Sequence, residues 1–203
     1  MFAQVIEGRT SNPEALLAAM DRWKAELEPG SIGWLGSTMG VTDDGRAVAV
    51  ARFESAQAAE RNSQRPEQSQ WWEETARLFE GEVTFRDSED VTDEGTGDPD
   101  RAGFVQVMQG QVTDQARAKE IMAQFPQDAM AEFRPDILRS LMIGHNDGRW
   151  TQVIYFTSEA EARENEAKEP PKEFQAFMAE LNAISKGEPI FFDLRNPQLM
   201  SPS

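Results

Sequence analysis

The pattern of apolar and polar positions repeats itself along the chain. An alternating stretch at residues 2–8, FAQVIEG, recurs at 104–110 as FVQVMQG, with the same leading Phe, the same central Gln and the same final Gly. Alternation with a period of two is typical of a half-buried strand. Recurrence of such a unit indicates that the chain contains two copies of one fold.

Each copy then contains a hairpin signal. Asp-Gly-Arg stands at 44–46 and again at 147–149. Apolar stretches flank both tripeptides, at 36–41 and 47–53 in the first copy and at 138–144 and 150–156 in the second. Asp-Gly between two apolar runs favours a tight turn that joins antiparallel strands. The pattern therefore predicts one β-hairpin in each copy.

A helix is predicted before each hairpin. In the first copy it runs from about Asn12 to Glu26, with Asn12 as the N-cap, Pro13 in the first turn and a single apolar stripe. Its counterpart, at about 114–125, is shorter, and a further turn is predicted at 127–134.

A second helical region is predicted after each hairpin, and it leads into a final strand. Ser55 and Ser158 are suitable N-caps for these helices, and prolines interrupt both of them. The final strands are predicted at 81–85 and 187–191. Each copy thus has the order β-α-β-β-α-β, which is typical of a ferredoxin-like α+β unit with both helices on one face of its sheet.

These patterns divide the chain into four segments. The two ferredoxin-like repeats are predicted at 1–87 and 102–195, with an acidic linker at 88–101 and a C-terminal tail at 196–203. The predicted strand at 47–53 carries apolar residues on both of its faces. A sheet with two apolar faces needs a cover on the side without helices. We therefore expect the two repeats to pack sheet to sheet.

Composition removes several classes of function. The 203 residues include no cysteine and one histidine, so disulfides, thiolate nucleophiles and multi-histidine metal centres cannot be built. The formal net charge of −16 repels nucleic acid and anionic membranes. The acidic linker carries Arg101 where a calcium-binding loop would need Glu, so no metal site is expected. With no apolar leader segment, we expect a cytoplasmic protein.

One segment of the first copy suggests a family. Phe53-Glu54-Ser55 leads into a helix, and NSQRPEQ at 62–68 then precedes Trp71 and Trp72. Together with the order of elements, this resembles the antibiotic-biosynthesis-monooxygenase-like members of the dimeric α/β-barrel superfamily. Those proteins usually carry one copy per chain and dimerise sheet to sheet. The resemblance implies a pseudo-dimeric α/β barrel within one chain, and leaves open a further homodimer of chains.

The resemblance also implies a range of activities. Relatives include cofactor-independent oxygenases of phenols and quinones, haem-degrading oxygenases and proteins of unassigned role, with ligands held between the sheet and the helices. Haem-degrading relatives place an Asn, a Trp and a His around the porphyrin. Here the only histidine, His145, lies in a predicted hairpin and not on a helix. Haem is therefore disfavoured, and we expect no cofactor.

Three polar residues of the first copy are candidates for chemistry. Asn62 could donate to an oxyanion, Arg65 could clamp a carboxylate or phenolate, and Glu67 could act as a general base if it were buried. The alternative is that this string only caps and starts a helix. The matching string of the second copy ends in Pro170 and Pro171, so the two copies differ here, and the sequence does not decide which copy holds a working site.

The remaining candidates are aromatic side chains and the histidine. Trp34, Trp71 and Trp72 could form the wall of a pocket for a flat ligand. His145 could serve as a catalytic base, and Tyr155 could donate a proton to a ligand. For all five residues, simple packing or an exposed turn is the alternative. The function predicted is that of a cofactor-independent monooxygenase acting on a small aromatic or quinone-type molecule. The alternatives are a non-catalytic ligand-binding or stress-associated protein, and a structural or interaction module.

Overall fold

The computed structural model of the protein describes residues 1–202. The chain forms two compact units, one made of residues 1–91 together with the residues from 192 onward, and the other of residues 92–191. The boundaries, after residues 91 and 191, each fall inside a short strand. The first unit therefore includes the C-terminal residues, which follow the second repeat in sequence. Within residues 1–202, no helix is both long enough and apolar enough to cross a membrane.

The two repeats have the same order of elements. The first comprises β1 (Phe2–Arg9), α1 (Pro13–Glu26), β2 (Trp34–Val41), β3 (Arg46–Phe53), α2 (Ala56–Ser63), α3 (Pro66–Ala76), β4 (Glu80–Ser88) and the short β5 (Asp90–Glu94). The second comprises β6 (Phe104–Gln111), α4 (Gln115–Met122), α5 (Gln127–Phe133), β7 (Ile137–Gly144), β8 (Arg149–Phe156), α6 (Glu159–Glu166), α7 (Lys172–Ile184), β9 (Ile190–Leu194) and β10 (Gln198–Met200). The predicted duplication of an α+β unit is confirmed.

The strands form two five-stranded sheets, with the strand orders β10-β2-β3-β1-β4 and β5-β7-β8-β6-β9. The central pairs have the same antiparallel register, since Phe2 lies opposite Phe53 in the first sheet and Phe104 opposite Phe156 in the second. The turns also match, because Gly45 and Gly148 both have positive φ, at 81° and 80°. This conformation favours glycine, which explains why Asp-Gly recurs between the paired strands.

The fifth strand of each sheet lies in a segment that the sequence predicts as linker or tail. β5 falls within residues 88–101 and is the edge strand beside β7. β10 falls within residues 196–203 and pairs with β2, with Gln198 opposite Met39 and Met200 opposite Ser37. Strands of three to five residues show too little alternation to be recognised from sequence. Each covers an edge whose backbone groups would otherwise lack partners.

Local capping fixes where the helices begin. The side chain of Asn12 accepts from the backbone N–H of Ala15 at 3.1 Å, and Pro13 occupies the first turn of α1. Ser55 and Ser158 likewise accept from the N–H groups three residues ahead, each at 3.2 Å. These bonds satisfy donors that lack a partner inside the helix. The three predicted N-caps are confirmed.

Both faces of the first sheet are buried. Phe2 and Phe53 face the helices and belong to an apolar cluster with residues of α1, α2 and α3. On the opposite face, Val5, Val48 and Val50 are at most 1% exposed. Two buried faces agree with the apolar residues predicted on both sides of β3.

Candidate functional site

The first unit contains a cavity of about 460 Å³ between the sheet and its helices. Its floor is made by β1, β2 and β3, and its walls by α1, α2 and α3. A volume of this size falls in the range of pockets for small molecules. The cavity is therefore the candidate site of the first unit.

Four of the chain's five tryptophans line this cavity, namely Trp23, Trp34, Trp71 and Trp72. The rings of Trp23 and Trp34 lie 5.0 Å apart between centroids, and those of Trp71 and Trp72 lie 6.2 Å apart. Aromatic walls of this kind provide large, rigid contact surfaces for flat ligands.

A β-bulge turns Trp34 toward the cavity. The register of β2 shifts between Trp34 and Gly36, so Trp34 shares the helix-facing side with Ser37 and Met39 in spite of its odd spacing from them. Gly36 has φ of 127°, and a Cβ at this position would lie 2.7 Å from the carbonyl oxygen of Met200. Bulges re-aim side chains in this way, and here glycine is required for it. The indole Nε1 of Trp34 then donates to Ser37 Oγ at 2.9 Å.

Helix α3 presents one face to the cavity. Gln68, Trp71, Trp72 and Thr75 follow each other at spacings of three, one and three residues, and all four line it. Residues spaced in this way share one side of a helix. Trp71 is buried and donates to the carbonyl of Ala19 at 2.9 Å. Trp72 is half-buried, as expected of a neighbour rotated by about 100° on the helix.

Asn62 is a predicted polar site residue, and its buried amide lines the cavity. Its Oδ1 accepts from Arg65 Nη1 at 2.9 Å, while its Nδ2 lies 3.5 Å from Gln68 Oε1. That oxygen already accepts from Trp23 Nε1 at 2.7 Å. A bond of 3.5 Å is at the limit of hydrogen bonding, so Asn62 Nδ2 can donate to a better acceptor, such as an oxygen of a ligand.

Arg65 holds Asn62 from outside the cavity. Its guanidinium donates to Asn62, to the carbonyl of Leu27 at 3.0 Å and to Glu67 at 2.9 Å, and Arg65 does not line the cavity. A charged donor on Oδ1 orients the amide and polarises its N–H groups. Arg65 thus orients the amide of Asn62 and does not line this cavity, so its predicted contact with a carboxylate or phenolate stays a prediction.

Glu67 lies on the surface, in the first turn of α3. Its side chain is 54% exposed, and it is absent from the lining of the cavity. The pKa of the Glu67 carboxyl is lowered from its usual value because its own backbone N–H and the Arg65 guanidinium donate to it. It therefore stays ionised at neutral pH. The structure does not bring Glu67 within reach of a ligand in this cavity, as a general base would need to be.

His145 and Tyr155 belong to the second unit. His145 is buried, with its Nε2 at 3.1 Å from Thr151 Oγ1 and its carbonyl accepting from Gln115. Tyr155 is 1% exposed on β8, one position before Phe156, which packs against α6. Successive side chains on a strand point to opposite faces, so Tyr155 faces away from those helices. Neither residue lines the cavity of the first unit.

Thr75 lines the cavity although no sequence pattern predicts it as a site residue. It is 2% exposed, and its hydroxyl has no hydrogen-bond partner within residues 1–202. The same holds for Trp23 and Gln68. Gln68 and Thr75 lie on the same face of α3 as Trp71 and Trp72. This helical spacing is the sequence signal that identifies Gln68 and Thr75 as neighbours of the tryptophans.

The exposed members of the lining mark the mouth of the cavity. Glu60 and Ser63 of α2 and Asp87 of β4 are exposed, and Gln4 Nε2 donates to Asp87 Oδ1 at 2.8 Å. Glu60 and Asp87 are the ionisable residues among those that line the cavity. The interior is thus neutral and the mouth carries negative charge.

The second repeat uses its matching asparagine differently. Asn165 is as buried as Asn62, and its Oδ1 accepts from Lys168 Nζ at 2.5 Å. Its Nδ2 donates to the backbone carbonyl of Glu161 at 2.9 Å. That amide is therefore engaged with its own helix, whereas the amide of Asn62 is not. In the described part of the chain, residues 1–202, no group of three or more His, Cys, Asp or Glu side chains could hold a metal ion.

Solved structures share this fold over the whole chain. Two bacterial proteins named "putative monooxygenase" match it, from Lactobacillus acidophilus (TM-score 0.74, 13% identity, covering 100% of this chain and 97% of that one) and from Fusobacterium nucleatum (TM-score 0.76, 10% identity, 98% and 94%). An anthrone oxidase-like protein matches with a TM-score of 0.69, 13% identity, and 98% and 92% coverage. No family model and no curated protein matches the sequence. The chain therefore shares the fold of these solved proteins, with two α+β repeats joined in one chain.

Proposed function

We propose that the protein binds a small aromatic or quinone-type molecule in the cavity of the first unit and oxidises it as a cofactor-independent monooxygenase. The observation that carries the proposal is the cavity itself, with walls of four tryptophans and the amide of Asn62 among them. The likeness to proteins named as monooxygenases supports the class of reaction at the level of the fold.

Anthrone is the first substrate to try, because one protein of the same fold is named anthrone oxidase-like. Its methylene carbon would lose a proton, and the resulting carbanion would react with O₂ to give a peroxide anion, which takes the proton back as a hydroperoxide. Loss of water from that peroxide leaves anthraquinone, so anthrone and O₂ give anthraquinone and H₂O. The protein would hold the ring flat and stabilise the oxyanion as charge develops.

Each residue has a role in this proposal. Trp34, Trp71 and Trp72, together with Trp23, contact the ring system, and Asn62 donates to the substrate oxygen while Arg65 positions it. Asp87, which accepts from Gln4 at the mouth, is assigned the role of accepting the proton. Roles for Glu67, His145 and Tyr155 stay predictions, and the lining of the cavity gives them no support. No cofactor enters the proposal.

Oxygen consumption and anthraquinone absorbance test the proposal directly. We expect the wild-type protein to accelerate both in parallel above the buffer rate, and Asn62→Ala to lower the rate about 100-fold, as loss of one oxyanion donor does. Trp150→Phe, in the second unit, is the matched control and should retain the wild-type rate. Binding of anthrone without any oxygen uptake would contradict the catalytic part of the proposal.

A second candidate function is non-catalytic binding of the same class of ligand. It is favoured by the absence of ionisable groups from the buried part of the lining, since Glu60 and Asp87 are both exposed. Saturable binding with no turnover across phenols, hydroquinones and anthrone would support it. Failure of every such compound to bind would leave the structural or interaction module, for which the open cavity provides no support.

A further inference from the structure

The ionisable side chains that line the cavity are all acidic. The lining contains no Lys, Arg or His, and its two carboxylates belong to Glu60 and Asp87. Each accepts from a neutral amide, Gln64 Nε2 at 3.3 Å and Gln4 Nε2 at 2.8 Å respectively. Within residues 1–202, neither carboxylate takes part in an ion pair. The negative charge at the mouth is therefore not neutralised by the protein.

Three arginines on or between the same elements have other partners. Arg22 of α1 pairs with Glu74 of α3 at 2.7 Å, and Arg86 of β4 pairs with Glu7 of β1. Arg65, between α2 and α3, donates to Asn62, Leu27 and Glu67, as described above. These guanidinium groups are therefore held by other partners and leave Glu60 and Asp87 unpaired.

The interior offers two further features that suit a cation. Four tryptophan side chains line it, and indole is the aromatic ring that attracts cations most strongly. The hydroxyl of Thr75, buried and without a partner within residues 1–202, can accept from an N–H group of a ligand. Burying it without a bond costs free energy that such a ligand would restore.

We propose that the cavity selects aromatic molecules that carry a positively charged amino group, in preference to neutral or anionic ones. The inference rests on the proposed function, because it names the class of ligand for the same cavity. The ring system lies between the tryptophans, and the ammonium group lies near the carboxylates of Glu60 and Asp87. A substrate of this kind also offsets the negative charge that would develop on its ring during oxidation.

Three probes with one aromatic frame test the selection by isothermal titration calorimetry. They are 2-naphthylmethylammonium, 2-naphthylmethanol and 2-naphthylacetate, which carry charges of +1, 0 and −1 at neutral pH. We expect the ammonium compound to bind about tenfold more tightly than the alcohol, as one favourable charge interaction would give, and the acetate to bind more weakly than both. The preference should decrease in 0.5 M salt, because the carboxylates are exposed.

Charge-neutral variants locate the effect. The double variant Glu60→Gln, Asp87→Asn keeps both amide hydrogen bonds and should reduce the preference for ammonium over alcohol at least threefold. Glu73→Gln, an exposed residue of α3 outside the lining, removes the same kind of charge and should leave the preference unchanged. Equal losses in the two proteins would mean that the overall net charge of −16 causes the preference, and would overturn the inference.

The probes separate this inference from the proposed function. Binding of the alcohol as tightly as the ammonium compound, or tightest binding of the acetate, overturns the selection of cations and leaves the cavity as an aromatic binding site. If none of the three compounds binds while anthrone does, the selection of cations is overturned and the aromatic site stands, whereas failure of anthrone to bind as well would overturn the proposed function.

Discussion

Two buried threonines of the first unit show how differently one side chain can be used. Thr10 donates from its hydroxyl to the carbonyl of Leu78 at 2.8 Å and accepts from the N–H of Asn12 at 3.0 Å. Thr75 is at least as deeply buried, and its hydroxyl has no partner within residues 1–202. A buried polar group without a bond is destabilising. In the proposed function, a bound ligand would supply the hydrogen-bond partner that the Thr75 hydroxyl lacks.

Thr75→Val should stabilise the protein by about 1 kcal/mol, because it removes an unsatisfied hydroxyl and keeps the branched shape. Urea unfolding followed by tryptophan fluorescence measures this, since four of the five tryptophans lie in the first unit. Thr10→Val is the matched control and should destabilise by about 1 kcal/mol, because it removes the hydroxyl that pairs with the carbonyl of Leu78 and the N–H of Asn12. Destabilisation by both variants would mean that Thr75 has a bond inside the protein after all.

Arg65→Ala should destabilise the first unit by about 3 kcal/mol. The side chain is 17% exposed, and its loss leaves Leu27 O and Asn62 Oδ1 without their charged donor. Arg77→Ala removes an exposed arginine from the end of α3 and should change the free energy of unfolding by less than about 0.5 kcal/mol. Similar small effects of both changes in urea would rule out the positioning role of Arg65.

The sequence predicts which residue types belong to the site better than it predicts which side chains line the cavity. Four of the predicted residues line the cavity, namely Trp34, Asn62, Trp71 and Trp72. The partner of Arg65 is the carbonyl of Leu27, 38 residues away, and no local pattern reports such a bond. The prediction that Arg65 clamps a ligand rests on the hydrogen-bonding capacity of its guanidinium. The location of that guanidinium outside the lining depends on tertiary contacts.

At the scale of elements, the last strand ties the C-terminal segment to the aromatic core of the first unit. Met200 of β10 is 4% exposed and belongs to the cluster that contains Trp23, Trp34 and Trp71. Gln198, two residues earlier, donates to the carbonyl of Leu17 and to Asp21 on α1. The walls of the cavity therefore depend on a strand that follows the second repeat in sequence.

Met200→Ala should destabilise the first unit by about 2–4 kcal/mol, since it removes a buried methionine from a packed cluster. Met178→Ala, at a residue that is 38% exposed on α7, should cost less than about 0.5 kcal/mol. Unfolding curves recorded by tryptophan emission would compare the two. A cost for Met200→Ala no greater than that of Met178→Ala would show that β10 contributes little to the core.

Elements with strong local signals were predicted, and those without were not. The alternation at residues 2–8 and the Asp-Gly turns are set by neighbours in sequence, and the strands and hairpins follow them. N-caps such as Asn12 are equally local. β5 and β10 were missed because short edge strands owe their conformation to the strand beside them and not to their own composition.

At the scale of the whole molecule, the chain crosses between the two sheets twice. β5 leaves the first repeat to join the second sheet, and β10 leaves the second repeat to join the first. A break at Gly95 thus yields one fragment, 1–95, that carries a strand of the second sheet, and another, 96–203, that carries a strand of the first.

The two fragments should co-elute as one species in size-exclusion chromatography after they are expressed together. Each would supply the other with backbone hydrogen bonds along an otherwise open sheet edge. Shortened fragments, 1–88 and 96–196, lack β5 and β10 and should associate more weakly. Elution of the longer fragments as separate folded monomers would contradict the expectation.

The exchange of edge strands also bears on how such a gene can change. Recombination that replaced one half with the half of a distant relative would replace the donor strand of one sheet and the acceptor edge of the other in the same event. A substitution in β10 must therefore remain compatible with β2, and one in β5 with β7. The two strands of each pair lie in different halves of the chain. The two halves are expected to diverge in their sites while remaining matched at these edges.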